Sequence, residues 1–109
     1  MLPDIYQAEC KRIANQQAAA LDEAKLRLQA HAELSLLEQG GVLHAVQVLA
    51  ENAIGKTKHW LKALGQPVPI SAHDAFESLH LQGCISQQDL NEWRAIVGLR
   101  NRIVHDYLN

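Results

Sequence analysis

From Arg100 to Tyr107 the chain reads R-N-R-I-V-H-D-Y, which sets a guanidinium, an amide, an imidazole and a phenol close together. On a helix, where each residue turns the chain by about 100°, Arg100 and Tyr107 share a face. Asn101 and His105 form an i, i+4 pair on the neighbouring face. Arg100 and His105 stand about 140° apart, a gap that the long arginine stem can close, so that guanidinium and imidazole meet in one groove. This set of groups suits a phosphodiester. Arginine offers paired hydrogen bonds to phosphate oxygens and keeps its charge, while histidine titrates near neutrality and can take or give a proton. A ribose 2′-hydroxyl activated by a His base, with Arg neutralising the charge that develops on phosphorus, would cleave RNA without a metal. No clustering of acidic residues in the sequence suggests the converging carboxylates of a two-metal nuclease.

The same residues also admit a plainer reading. A lone helical histidine can be a satisfied structural residue, and Arg102 and Asp106 can form an ordinary i, i+4 surface ion pair. Arg100, a charge set among Trp93, Val97 and Val104, can simply be held by an acidic residue such as Glu51. The other histidines, His31, His44, His59, His73 and His80, show no ligand spacing and read as surface or core-edge residues. Cys10 and Cys84 lack a partner at zinc spacing and read as ordinary small side chains.

Helices must position these groups. Fifteen Ala and 16 Leu in 109 residues, against six Val, seven Ile, six Gly and three Pro, favour an all-α domain, and the length fits one domain spanning 1–109. The first helix is expected from Pro3 to His31, packing through Ile5, Ala8, Ile13, Ala20, Leu21, Ala24 and Leu28. A second long helix is expected from Glu33 to Leu64, where Gly40 and Gly41 mark either a break or a close backbone approach. Gly65 and the following Q-P-V-P end it. Ser71 with Asp74, and Ser86 with Asp89, look like N-caps for a short third helix ending at Gly83 and for the motif-bearing last helix. The last helix turns Leu90, Trp93, Ile96, Val97, Arg100, Ile103, Val104 and Tyr107 inward. Two long helices, one short and one bearing the motif define an antiparallel bundle.

Charge and targeting narrow the function classes. Ten Lys and Arg against 12 Asp and Glu leave a formal charge of −2, so no bulk positive field advertises a nucleic-acid partner and any RNA contact must be local. No stretch reaches the roughly 20 apolar residues of a membrane span, and the N-terminus has no apolar signal core, so a cytoplasmic protein is expected.

The R-x-x-x-x-H-x-Y pattern of Arg100, His105 and Tyr107 resembles the signature of HEPN-domain ribonucleases, in particular the HepT branch. The likeness continues upstream through W-R-A-I-V-G-L-R, A-E-N-A-I-G-K-T-K-H-W-L, P-V-P-I-S and D-A-F-E-S-L, about the C-terminal 65 residues. Pro3 to Gln39 fit only as a generic first helix. The resemblance implies a HEPN-type four-helix bundle and the toxin of a type VII HepT/MntA-like toxin–antitoxin system. It further implies a metal-independent endoribonuclease that needs no cofactor and acts on RNA, tRNA among the candidates. It also implies a homodimer whose two motifs face each other in one composite cleft. Arg100 would bind the scissile phosphate, His105 would transfer protons and Asn101 would be the polar neighbour that helps orient His105. Tyr107 would receive AMP from an MntA-like nucleotidyltransferase antitoxin. Family members continue past the tyrosine into a further helix, whereas the sequence ends at Asn109, so that final helix is expected to be missing. The competing reading is a non-catalytic HEPN module that binds a nucleotidyltransferase or a nucleotide.

Overall fold

The computed structural model describes residues 4–30 and 32–107, the last of these by its backbone alone. Four helices follow one another: α1 (Asp4–Gln29), α2 (Leu36–Ala63), α3 (Ala72–Leu81) and α4 (Gln87–Tyr107). There is no strand among the described residues, so the expected all-α bundle is the fold. The expectations for Pro3 and His31 lie outside the described residues.

Local sequence fixes most of the helix ends. Ser71 Oγ accepts from the Asp74 backbone N–H at 3.1 Å and starts α3. Ser86 Oγ accepts from the Asp89 N–H at 3.0 Å, while Asp89 Oδ2 accepts from the Ser86 N–H at 3.3 Å, starting α4. At the other ends, Gly65 (φ 72°) and Gly83 (φ 79°) adopt the left-handed conformation that glycine allows without a Cβ clash. Each sits in a Schellman turn. Gln66 N–H reaches back to Leu61 O and Gly65 N–H to Lys62 O, and Cys84 and Gly83 repeat the pattern on Leu79 and His80.

The start of α2 differs from the expected Glu33. Ser35 and Glu38 form a reciprocal capping box, Ser35 N–H to Glu38 Oε1 at 2.9 Å and Glu38 N–H to Ser35 Oγ at 3.1 Å, so the helix begins at Leu36. Arg27 Nε adds an ion pair to Glu38 Oε2 at 2.9 Å, closing the α1–α2 hairpin. From there α2 runs through Gly40 and Gly41 without a break. Among the described residues, nothing beyond the helix's own neighbouring backbone lies within 4 Å of a Cβ built on either glycine. The close-approach alternative therefore has no counterpart within this chain.

Packing is centred on α2, which touches α1, α3 and α4; α3 and α4 also touch each other, but α1 touches neither. One buried cluster joins Leu61 of α2 to Ala75 and Leu79 of α3, with Cys84 and Ile85 packed on it. A second joins Phe76 of α3 to Leu90 and Val97 of α4, where the Phe76 and Trp93 rings stack at 5.2 Å. Ile103, also buried, continues the inner side of α4 towards the motif.

The stripe expected on α1 holds in part. Ile13, Leu21 and Ala24 turn inward as expected, but Ile5, Ala8, Ala20 and Leu28 are exposed, and Tyr6, Cys10 and Ala14 take inner positions. Among the described helices α1 packs on α2, and particular contacts fix its rotation there. Tyr6 packs on His59 with ring centroids 4.3 Å apart, and the Asn52 amide donates to Cys10 O at 3.0 Å. Because α1 and α4 do not meet, a cleft of about 640 Å³ opens between them over α2, lined by Lys11, Lys56, Trp60 and Trp93 among others.

Two glycines inside an unobstructed helix are destabilising. Gly40→Ala and Gly41→Ala are each expected to raise stability by about 0.5–1 kcal/mol, measured by thermal unfolding followed by circular dichroism. A fall in stability in either variant would mean that another backbone comes close at this point.

Candidate active site

Arg100 projects from the face of α4 that meets α2, one turn before the buried Ile103. Its guanidinium is held on two sides. Nη2 donates to Glu51 Oε1 at 2.8 Å across the α2–α4 contact, and Nη1 donates to Asn101 Oδ1 at 3.1 Å on its own helix. Nε is buried and has no hydrogen-bond partner. The arginine side chain is 30% exposed and the Glu51 side chain 43%, so this is a half-open ion pair at the edge of the bundle.

Glu51 is itself held. Gln47, one turn earlier on α2, donates to the same Oε1 at 3.3 Å. The hydrogen bond from Arg100 lowers the Glu51 carboxyl below its usual 4.5 despite burial, helped by Gln47 and by the charges of Arg100 and His44. The structure thus gathers His44, Gln47 and Glu51 of α2 around Arg100 and Asn101 of α4. Glu51 is the partner that the plainer reading of Arg100 anticipates. His44 and Gln47 escape sequence reasoning, although the spacing 44, 47, 51 puts them on the same stripe of one helix. Only knowledge of which face of α2 meets α4 makes that stripe part of the site.

His105 is elsewhere. Its side chain is 85% exposed, and Nδ1–H donates to Asp106 Oδ1 at 2.9 Å. The structure does not bring its imidazole together with the Arg100 guanidinium, so the single groove expected on one chain is not formed. Asn101 contacts Arg100 rather than His105. The surface pair expected between Arg102 and Asp106 is replaced by the adjacent His105–Asp106 contact. Tyr107 closes α4, and the expectation for its side chain falls outside the described residues. Of the other described histidines, His80 bonds Ile85 O through Nδ1 at 2.9 Å, bracing the α3–α4 turn, and His73 is exposed. Cys10 is buried, Cys84 half-buried, and both are free.

Among the described residues, no group of three or more His, Cys, Asp and Glu side chains is placed to hold a metal ion. None of the described helices is long and apolar enough to cross a membrane.

The described residues thus form an all-α bundle of four helices whose last helix carries a tethered arginine and an exposed histidine. The family model described as "Ribonuclease HepT-like" matches residues 10–109, so the chain belongs to the HepT-like ribonuclease family. The match covers most of α1 as well, further than the C-terminal 65 residues on which the motif-based likeness rests. No curated protein and no solved structure matches the chain. Membership places it among HEPN ribonuclease toxins, with RNA as the substrate class.

The Glu51–Arg100 pair has a pH signature. Glu51 has a lowered pKa when folded, so its contribution is fully present above the usual carboxylate range and is lost as pH falls through the folded value. The melting-temperature advantage of wild type over Glu51→Gln is expected to be largest near neutrality and to vanish in acid once Glu51 is protonated. An advantage independent of pH would show that the charge of Glu51 is not what holds Arg100.

Proposed function

We propose that the protein is a metal-independent endoribonuclease toxin whose cleft is completed by a second copy of the chain. The observation that carries this reading is the separation of Arg100 from His105 within a chain that belongs to a ribonuclease family. Arg100 turns towards α2, while His105 stands in solvent, bonded only to its sequence neighbour. A phosphate binder and a proton-transfer group in such positions can serve one phosphodiester if the α4 helices of two protomers face each other.

In that cleft Arg100 binds the scissile phosphate, with Asn101 fixing its guanidinium. His105 moves the proton between the ribose 2′-hydroxyl and the leaving 5′-oxygen. Attack of the 2′-oxygen on phosphorus forms a 2′,3′-cyclic phosphate, and the departing oxygen takes up a proton to leave a 5′-hydroxyl end. Neutralisation by an MntA-like nucleotidyltransferase completes the reading. AMP on Tyr107 adds bulk and negative charge near the arginine and repels the RNA backbone. The substrates include tRNA, and the system works in the cytoplasm.

The Arg100–Glu51 contact also favours a second reading, a non-catalytic module in which Arg100 merely ties α4 to α2 while the bundle binds a nucleotidyltransferase or a nucleotide. Incubation of purified protein with tRNA and total RNA in EDTA separates the two. Wild type is expected to cleave, with Arg100→Ala reducing the rate by roughly 10²–10³-fold and His105→Ala by about 10²–10⁴-fold. Cleavage that persists unchanged in both variants removes these residues from the mechanism. Mixed dimers of the two variants should regain part of the activity if the cleft is shared. If Arg100→Met abolishes nothing and melts higher than wild type, the structural reading holds. Mass spectrometry after coexpression with a nucleotidyltransferase is expected to find added AMP on Tyr107.

A further inference from the structure

We propose that Glu51 is a positioning residue for RNA cleavage, acting through Arg100. The inference rests on the ribonuclease reading above and adds to it a residue from a different helix. Its basis is the way the guanidinium is held. An arginine side chain has many rotamers to choose from, and a transition state gains only from a fork already aimed at it. Asn101 alone anchors one nitrogen from the same helix, which leaves the plane of the group free to swing about that contact. Glu51 supplies the second anchor from α2, 2.8 Å from Nη2. With both in place the guanidinium plane is fixed, and each Nη nitrogen keeps one N–H for a phosphate oxygen.

A carboxylate beside a phosphate-binding group is unfavourable for binding, because it repels the RNA that Arg100 attracts. A residue serving affinity alone would be neutral or basic here. Glu51 is instead engaged with Arg100 through Oε1, the oxygen on which Gln47 also donates at 3.3 Å. His44, on the same stripe of α2, is one of the groups whose charge favours the ionised Glu51 carboxylate. An arrangement that sacrifices affinity while fixing geometry is the mark of a group acting on turnover rather than on binding.

The test uses the full chain with an RNA that wild type cleaves, measuring kcat and KM, with fluorescence anisotropy reporting binding of the same RNA. In Glu51→Ala, kcat is expected to fall by about 10- to 100-fold, the scale of a displaced reacting group. RNA binding is expected to stay equal or to tighten by up to about fivefold, the scale of one half-exposed charge. Glu51→Gln, which keeps an oxygen acceptor for Nη2, should recover most of the lost kcat. The double variant E51A/R100A should be no slower than Arg100→Ala alone. A wild-type kcat in Glu51→Ala overturns the proposal, as does a fall in kcat matched by equal loss of binding or of helicity, or an additive double variant. Wild-type protein that cleaves no RNA overturns the functional reading and this proposal together, whereas active wild type with an indifferent Glu51→Ala overturns the proposal alone.

Discussion

The contact surface of α2 is the constraint on which the molecule depends. This 28-residue helix meets all three of the others, and α1 has no other neighbour. Its buried positions, Ala45, Ala50, Thr57 and Leu61, are mostly small, which lets the neighbouring helices approach closely. The α4 helix is then set by two independent supports, the Phe76–Trp93 stack and Leu90–Val97 cluster on α3, and the line of contact with α2. The place of Arg100 follows from this arrangement. Glu51 can reach it only because α2 and α4 cross at that level, so loss of core packing at Val97 or Phe76 would disturb the site without touching a polar group.

Features written in neighbouring residues were legible in the sequence. The Ser71 and Ser86 caps and the stops at Gly65 and Gly83 depend on side chains or backbone angles within three or four positions, and composition reads them directly. The Ser35–Glu38 box is equally local, yet the leucines before and after it keep a helical period and hide it. Local rules compete there, and the hydrogen bonds of the box decide the outcome. On α1 the difficulty is of another kind. A helix with one neighbour buries a narrow stripe, and its many alanines are compatible with several rotations about the axis. Tyr6 and Cys10 choose between them through contacts with α2 that no periodicity encodes.

The candidate site divides along the same line. Arg100, Asn101 and His105 belong to one short run, so their types and order are visible at once. Their partners are not. Glu51 is 49 residues away, and it enters sequence reasoning only as one acidic residue that could hold a buried charge. His44 and Gln47 carry no signal until the face of α2 is known. The direction of His105 is also invisible, because its 85% exposure reflects how α4 leaves the bundle rather than its sequence spacing from Arg100.

Electrostatics ties these observations to the proposed dimer. The chain carries a formal charge of −2, and Arg100 is already paired with a carboxylate, so one copy offers an anion almost no net attraction at this point. Two copies with facing α4 helices would change the local balance. Each pair would stay neutral overall, with the guanidinium groups of α4 turned to the shared cleft and the Glu51 side chains set back on α2. A phosphate between the protomers would then meet hydrogen-bond donors from both sides and the carboxylates only at greater distance. In the proposed cleft attraction would be confined to the place where the two helices meet, which would reconcile an acidic protein with an anionic substrate and would make binding of RNA depend on assembly.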